Sequence, residues 1–130
     1  MNRSLNALDS IFRPIVFEFL ARLIEAGIPV MIVNTLRTQA EQDAAVARGA
    51  SWRAHSLHQD GLAIDVCPYV IWSEFGDDKL QWDADDPQWA KIGAIGESLG
   101  LRWGGCWTHR DMGHIEYKDP RERPPGGWAA

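Results

Sequence analysis

The sequence predicts a single small domain in which helices and short strands share one core. Its 130 residues suffice for one ordinary domain and are too few for two. Three segments carry apolar residues at the spacing of a helix that is buried along one side, and several short runs show the β-branched or alternating pattern of a strand. These observations place the chain in a mixed α and β class.

The three helices are predicted from apolar periodicity and from the residues at their ends. The first covers residues 13–26, with Pro14 in its first turn and Gly27 as its C-terminal cap. The second covers 38–48 and opens on a threonine and a glutamate in capping-box spacing. The third covers 87–99, where an Asp-Pro pair supplies the N-cap and the first helical residue.

Shorter apolar stretches predict four strands. Residues 28–35 are rich in β-branched side chains, and residues 62–67 alternate between two faces. Two further short strands are predicted at 101–103 and 115–117. The acidic segment 69–86 shows no periodicity. A solvated surface loop is favoured there over a calcium site, because the spacing of its carboxylates does not fit an EF-hand loop.

Charge and composition exclude several classes of function. The net charge is -5, the pI is near 5.2 and no basic run is present, which argues against nucleic-acid binding. The N-terminus lacks the pattern of a signal peptide and no apolar run reaches membrane-spanning length. We therefore expect a chain that is made in the cytoplasm, has no membrane anchor and acts as a monomer.

The sequence contains two cysteines, Cys67 and Cys106. Two are too few for a disulfide framework, and they do not stand in Cys-x-x-Cys spacing. Both are expected to be small thiols that are at least partly buried, and the sequence leaves open whether they pair.

One half of a metal site is predicted between residues 56 and 65. His58 precedes a tight turn at Gly61, and the alternation that follows places Asp65 on the face opposite the core-facing Leu and Ile side chains. Ala63 shares the face of Asp65 and leaves room beside the carboxylate. We therefore predict that His58 and Asp65 bind one metal ion.

The other half is predicted where Asp111 and His114 precede a short alternating run. Two imidazoles and a carboxylate, with a fourth position left to water, form the ligand set of a catalytic zinc, because a structural zinc has four protein ligands. Other divalent metals also accept this set. His55 and His109 are rival ligands, ranked lower because neither is followed by a turn and a strand.

Hydrolysis at such a centre needs a base and a partner for the developing negative charge. Asp111 lies three residues before His114 and is placed to take the proton of the attacking water without being a ligand. Arg37, between a strand end and a helix start, is the candidate oxyanion partner. Most of the seven tryptophans are expected in the core, with Trp107 and Trp52 as candidates for a substrate groove.

The two halves of the site resemble the zinc motifs of a known family, the VanY-like D-Ala-D-Ala carboxypeptidases and L-alanyl-D-glutamate endopeptidases, which cut peptidoglycan stem peptides. The arginine segment and the run before the second motif are also similar, the latter to the phage endolysin branch. The residues that carry the resemblance are Ser56-x-His58-x-x-Gly61-x-Ala63-x-Asp65, Asp111-x-x-His114, Thr35-Leu36-Arg37-Thr38 with Gln42, and residues 99–107.

This resemblance implies a fold and a set of roles. The fold is an α+β domain with helices packed on an antiparallel sheet, as in the Hedgehog signalling domain. The catalytic domain would cover residues 1–118, and the Pro- and Gly-rich stretch 119–130 would be an extended tail. The implied roles are zinc ligands for His58, Asp65 and His114, general base for Asp111, oxyanion or substrate-carbonyl partner for Arg37, and substrate contact for Ser56.

The favoured function is therefore a zinc endolysin of a phage or prophage that cuts the stem peptide, at the L-Ala-D-Glu bond, after release to the wall through a holin. A D-Ala-D-Ala carboxypeptidase or dipeptidase is the alternative among enzymes, although a resident carboxypeptidase would need an export signal. A non-catalytic, zinc-stabilised binding module is the alternative outside enzymes. Such a module would have no use for Asp111 and Arg37 beside an open metal.

Overall fold

The computed structural model describes residues 1–51, 54–70 and 79–121. These residues form three α-helices near the predicted positions, namely α1 (Arg13–Glu25), α2 (Gln39–Ala47) and α3 (Gln88–Ser98). The capping box predicted for α2 is confirmed, because the Thr38 hydroxyl accepts from the Glu41 N–H and the Glu41 carboxylate accepts from the Thr38 N–H. Local signals of this kind set where each helix begins.

Five strands lie in the described part of the chain: β1 (Val30–Asn34), β2 (Ala63–Val70), β3 (Lys79–Leu80), β4 (Arg102–Trp103) and β5 (His114–Glu116). The main sheet has the order β1-β2-β5-β4, and every neighbouring pair is antiparallel. The short β3 pairs with the far end of β2. Helices and strands alternate along the chain, but the sheet is antiparallel, so the domain is of the α+β class.

Most boundaries differ from the sequence-based prediction by one or two residues, and the end of β2 differs by three. Strand β2 continues to Val70 and pairs with β3, so the segment 69–86 is not wholly irregular as predicted. That pairing satisfies backbone groups through a contact that apolar periodicity cannot reveal. Helix α3 begins at Gln88, one residue later than predicted, and the Asp86 carboxylate accepts the Gln88 N–H at 2.8 Å, as expected of an N-cap residue.

The core lies where α1 and α3 pack against the sheet. Alternation along β2 buries Ile64 and Val66 in this core, while Asp65 between them keeps 19% of its side chain exposed. The predicted division of β2 into a core-facing set and a site-facing aspartate is therefore confirmed. The fully or almost fully buried apolar side chains include Phe12, Val16, Phe19, Leu23, Ile64, Val66, Trp89, Ile92 and Ile115.

The tight turn predicted at Gly61 is also confirmed. Gly61 has a φ of 70°, a left-handed conformation that favours glycine. Its carbonyl accepts the Asp9 N–H at 2.9 Å, and a Cβ at Gly61 would lie 2.8 Å from that nitrogen. The N-terminal segment thus packs directly on the turn that connects His58 to β2.

Both cysteines are free thiols. Cys67 is buried in β2 as expected, and burial raises the pKa of its thiol to about 11. Cys106 is exposed, so the prediction that it is at least partly buried is wrong. It ends a short 3-10 turn, Gly104–Cys106, whose third residue faces solvent.

Within the described ranges, no helix combines the length and the apolar character needed to cross a bilayer. Trp52, one of the two predicted groove residues, lies outside the described residues. The same holds for residues 122–130 of the predicted tail.

Candidate metal centre

Adjacent strands bring the predicted ligands together. Asp65 in β2 and His114 in β5 are directly paired residues of the antiparallel ladder. His58 lies in a short 3-10 turn, Leu57–Asp60, immediately before Gly61 and β2. The donor atoms of His58, Asp65 and His114 all lie within 4.8 Å of one another.

The spacing of these donor atoms fits one shared metal ion. His58 Nε2 lies 3.1 Å from Asp65 Oδ2, and His114 Nδ1 lies 3.2 Å from Asp65 Oδ1. Ligands bonded to one zinc at about 2.0–2.1 Å are about 3.2–3.4 Å apart at near-tetrahedral angles. His58 Nε2 and Asp65 Oδ1 are also buried without a hydrogen-bond partner among the described residues, which is unfavourable unless a ligand engages them.

Backbone groups orient His58. Its Nδ1 lies 2.8 Å from the carbonyl oxygen of Thr35, a group that can only accept. In the neutral imidazole, Nδ1 therefore carries the hydrogen and Nε2 presents its lone pair towards Asp65. The ring is 1% exposed, and the Ser56 hydroxyl accepts the backbone N–H of His58 at 3.2 Å. The Thr35 contact was not predicted, because a backbone carbonyl has no signature in the sequence.

The His114 ring is oriented by a side chain, Glu116, rather than by a backbone carbonyl. His114 Nε2 lies 2.8 Å from Glu116 Oε1, and Glu116 Oε2 lies 2.8 Å from Arg102 Nε. Sequence reasoning assigned no role to Glu116 or Arg102. The available signal was the spacing of two residues along a strand, which places Glu116 on the same face as His114.

Charges within the site shift the pKa of several members. Burial opposes ionisation of Asp65, yet the two imidazoles beside it hold its pKa well below the usual range. Burial lowers the pKa of His114, but Asp65 and Glu116 outweigh it and raise that pKa to about 9. Partial burial and the nearby charge of Asp65 raise the pKa of Asp111. Asp65 is thus ionised, as a metal-binding carboxylate must be, and Asp111 is more basic than an ordinary aspartate.

The centre opens into a cleft with a volume of about 360 Å³. Arg37, Asp111 and Trp107 line this cleft together with His58 and His114. The ring centroid of Trp107 is 5.0 Å from that of His114, so one predicted groove residue lies next to the metal site. An open cleft beside three ligands leaves space for water and substrate, as a catalytic metal site requires.

Arg37 is held between a buried amide and the ligand carboxylate. Its Nη1 donates to Gln42 Oε1 at 2.6 Å, and its Nη2 lies 3.8 Å from Asp65 Oδ2. Gln42 is fully buried in α2, so its amide is a fixed support for the guanidinium. Ser56, the predicted substrate contact, lines the same cleft.

The two rival histidines lie elsewhere. His55 is 58% exposed, and its Nε2 is 3.0 Å from Asp60 Oδ2. His109 is exposed at the wall of the cleft. Among the described residues, the converging group of three ligands contains neither.

Trp103 supports the loop that carries Asp111. Its Nε1 donates to the carbonyl of Met112 at 2.7 Å. The indole packs so closely on Gly93 and Gly105 that a Cβ at either glycine would overlap its ring. The ring is therefore fixed in place, and so is the peptide that follows Asp111.

The fold and the site define a small α+β domain with a candidate His-Asp-His metal site beside an open cleft. A family model described as D-alanyl-D-alanine carboxypeptidase, Peptidase_M15_4, matches residues 49–117, which is more than half of the chain. The chain belongs to this peptidase family, and the family resemblance seen in its motifs is confirmed.

Two curated relatives are similar to this chain in sequence. The L-alanyl-D-glutamate peptidase of Listeria phage A118 is 34% identical over 96 residues, which cover 70% of this chain and 31% of the relative. The peptidoglycan L-alanyl-D-glutamate endopeptidase CwlK of Bacillus subtilis (strain 168) is 30% identical over 105 residues, which cover 69% and 61%. The chain therefore spans less than two thirds of the length of either relative.

The crystal structure of the Serratia marcescens L-Ala D-Glu endopeptidase ChiX has a similar fold. The match has a TM-score of 0.68 at 23% sequence identity and covers 88% of this chain and 83% of ChiX. The predicted α+β fold, with helices packed on an antiparallel sheet, is thereby confirmed.

Proposed function

We propose that the protein is a zinc-dependent peptidoglycan peptidase that hydrolyses the stem peptide at the bond between L-Ala and D-Glu. The observation that carries the proposal is the convergence of His58, Asp65 and His114 on an open cleft that also holds Asp111 and Arg37. Family membership supports peptide hydrolysis. The two relatives and ChiX are named as L-alanyl-D-glutamate peptidases, which supports cleavage at this bond.

His58, Asp65 and His114 would hold the zinc ion through two nitrogens and one carboxylate oxygen. When bound, zinc supplies Lewis-acid polarisation of the scissile carbonyl and lowers the pKa of the attacking water. Zinc is favoured over harder cations because two of the three ligands are imidazoles.

Asp111 acts as the general base in this proposal. Its Oδ2 lies 3.8 Å from His114 Nδ1, and 53% of its side chain is exposed to the cleft, so it reaches the space next to the ligands. Its raised pKa makes it a stronger base than an ordinary aspartate. Asp111 takes a proton from the attacking water and then donates it to the leaving nitrogen, which departs as an amine.

Arg37 stabilises the negative charge that develops on the carbonyl oxygen of the substrate. Its guanidinium lines the cleft with 17% of the side chain exposed, and Gln42 fixes its orientation. A preoriented donor at this position contributes about 3–4 kcal/mol to transition-state stabilisation. Ser56 and Trp107, which line the same cleft, contact the peptide substrate.

The biological setting belongs to the same proposal. We infer a phage or prophage endolysin that is made in the host cytoplasm, passes through a holin and acts on the cell wall as a monomer. The phage relative supports this setting. We further propose that the catalytic domain lies within residues 1–118.

A D-Ala-D-Ala carboxypeptidase is the second candidate, because the matching family model carries that description. The two activities share a metal centre and differ in the released ends. Purified peptidoglycan is digested with the zinc-loaded protein and with a sample stripped by EDTA, and the products are identified by mass spectrometry. New N-terminal D-Glu, formed only with metal, is expected. Free D-Ala would assign the carboxypeptidase activity, and an intact wall with zinc bound would assign the non-catalytic binding module.

Trp103→Phe is expected to lower kcat on a stem-peptide substrate about 3- to 10-fold without changing the affinity for zinc. The substitution removes the donor to the Met112 carbonyl, a loss of about 0.5–1.5 kcal/mol, and frees the loop that carries Asp111. Steady-state kinetics and a zinc titration measure the two effects. The control is Trp82→Phe, because Trp82 is exposed and stacks on Trp89 outside the cleft. A wild-type kcat in Trp103→Phe would contradict this role.

A further inference from the structure

We propose that Glu116 is a positioning residue for His114, and that Arg102 holds Glu116 in place for this purpose. The chain of contacts runs from the Arg102 guanidinium through both oxygens of Glu116 to the His114 ring. This inference rests on the proposed zinc site, and it assigns a role to a side-chain pair that takes no part in the proposed proton transfers.

The geometry is that of a fully engaged, buried carboxylate. Glu116 is 1% exposed, with Oε1 2.8 Å from His114 Nε2 and Oε2 2.8 Å from Arg102 Nε. Burying a carboxylate is costly unless charged or hydrogen-bonding partners compensate. The buried Glu116 is therefore compensated by its two partners, and we infer that the orientation of the His114 ring depends on it.

The register of β4 and β5 brings Arg102, Glu116 and His114 next to one another. Arg102 in β4 pairs directly with Glu116 in β5, and the alternation along β5 places His114 and Glu116 on one face while Ile115 enters the core. The buried Ile115 prevents β5 from slipping by one residue, because a slip would exchange its two faces. The same register that pairs His114 with Asp65 therefore also places the carboxylate against the opposite nitrogen of the ring.

An acceptor at Nε2 selects one form of the neutral imidazole. The hydrogen resides on Nε2, and the lone pair of Nδ1 faces Asp65 and the metal position. His58 obtains the same selection from the Thr35 carbonyl, which no side-chain substitution removes. The two histidine ligands are thus oriented by different means, and His114 alone depends on a replaceable side chain.

The test measures zinc affinity by competition with a chelator for the wild type, Glu116→Ala and Glu116→Gln. We expect Glu116→Ala to weaken zinc binding about 10- to 100-fold. Glu116→Gln retains an acceptor oxygen and the shape of the side chain, so we expect a smaller loss. The matched control is Glu18→Ala, which breaks an exposed Arg-Glu pair of α1 with Arg22.

A second readout separates orientation from general destabilisation. Nitrogen-15 spectra of the zinc-loaded protein report which ring nitrogen of His114 carries the hydrogen, and we expect Nε2 in the wild type and a loss of this single form in Glu116→Ala. Affinity within about twofold of the wild type in both Glu116 variants, with the Nε2 hydrogen retained, would overturn the inference. Failure of the wild type to bind zinc would instead refute the proposed function, together with the inference that depends on it.

Discussion

Asp111→Asn is expected to lower kcat for stem-peptide hydrolysis by about 10²- to 10⁴-fold while zinc remains bound. This range is the usual contribution of a positioned general acid or base. The amide keeps the size of the side chain and cannot accept the proton of the attacking water. Asp111 is half exposed and lies 3.8 Å from His114, so its replacement leaves the three ligands in place.

The measurement is steady-state hydrolysis of a synthetic L-Ala-D-Glu peptide, with the zinc content determined on the same samples. Asp85→Asn is the matched control, because Asp85 is an exposed aspartate that does not line the cleft. We expect its kcat to equal that of the wild type. A kcat for Asp111→Asn within a few-fold of the wild type would assign the base to another group.

The substitution His58→Ala is expected to abolish metal-dependent activity and the stabilisation of the fold by zinc. A ligand present at about 1,000 times its Kd stabilises the folded state by about 4 kcal/mol. For a domain of this size, that corresponds to a rise in Tm of more than about 8 °C. His58 supplies one of three ligands, and its removal also leaves the Thr35 carbonyl without its donor. We therefore expect most of the rise to disappear.

Thermal melts with zinc and with EDTA measure this effect. His55→Ala is the matched control, since His55 lies three residues away, is exposed and pairs with Asp60. Its zinc-dependent rise in Tm is expected to match that of the wild type. If His55→Ala abolished the rise and His58→Ala preserved it, the assignment of the ligands would be reversed.

The helices and the first half of the site could be predicted because their signals are local. The Thr38 and Glu41 capping box, the turn at Gly61 and the alternation through Asp65 each depend on residues a few positions apart. Side-chain chemistry and backbone sterics act directly over such distances. The second half of the motif and the roles of Asp111 and Arg37 were predicted from residue types and their positions, and the family resemblance implies the same roles.

Contacts between distant segments could not be predicted in the same way. The pairing of Tyr69 with Leu80 extends β2 beyond its predicted end, and Cys106 is exposed although it was expected to be at least partly buried. The ion pair of Arg102 with Glu116 depends on which residues of β4 and β5 lie opposite each other. Alternation along one strand determines the face on which each residue lies, but the residue opposite it on the neighbouring strand depends on how distant segments pair.

The sequence by itself determines which residues can bind a metal and on which side of β2 Asp65 lies, because alternation and turn chemistry are properties of neighbouring residues. It does not determine which ring nitrogen of each histidine faces the proposed metal position. In the proposed zinc site, His58 would use Nε2 because the Thr35 carbonyl engages Nδ1, and His114 would use Nδ1 because Glu116 engages Nε2. The folding of distant segments against one another places both partners, so packing decides how the two rings are oriented.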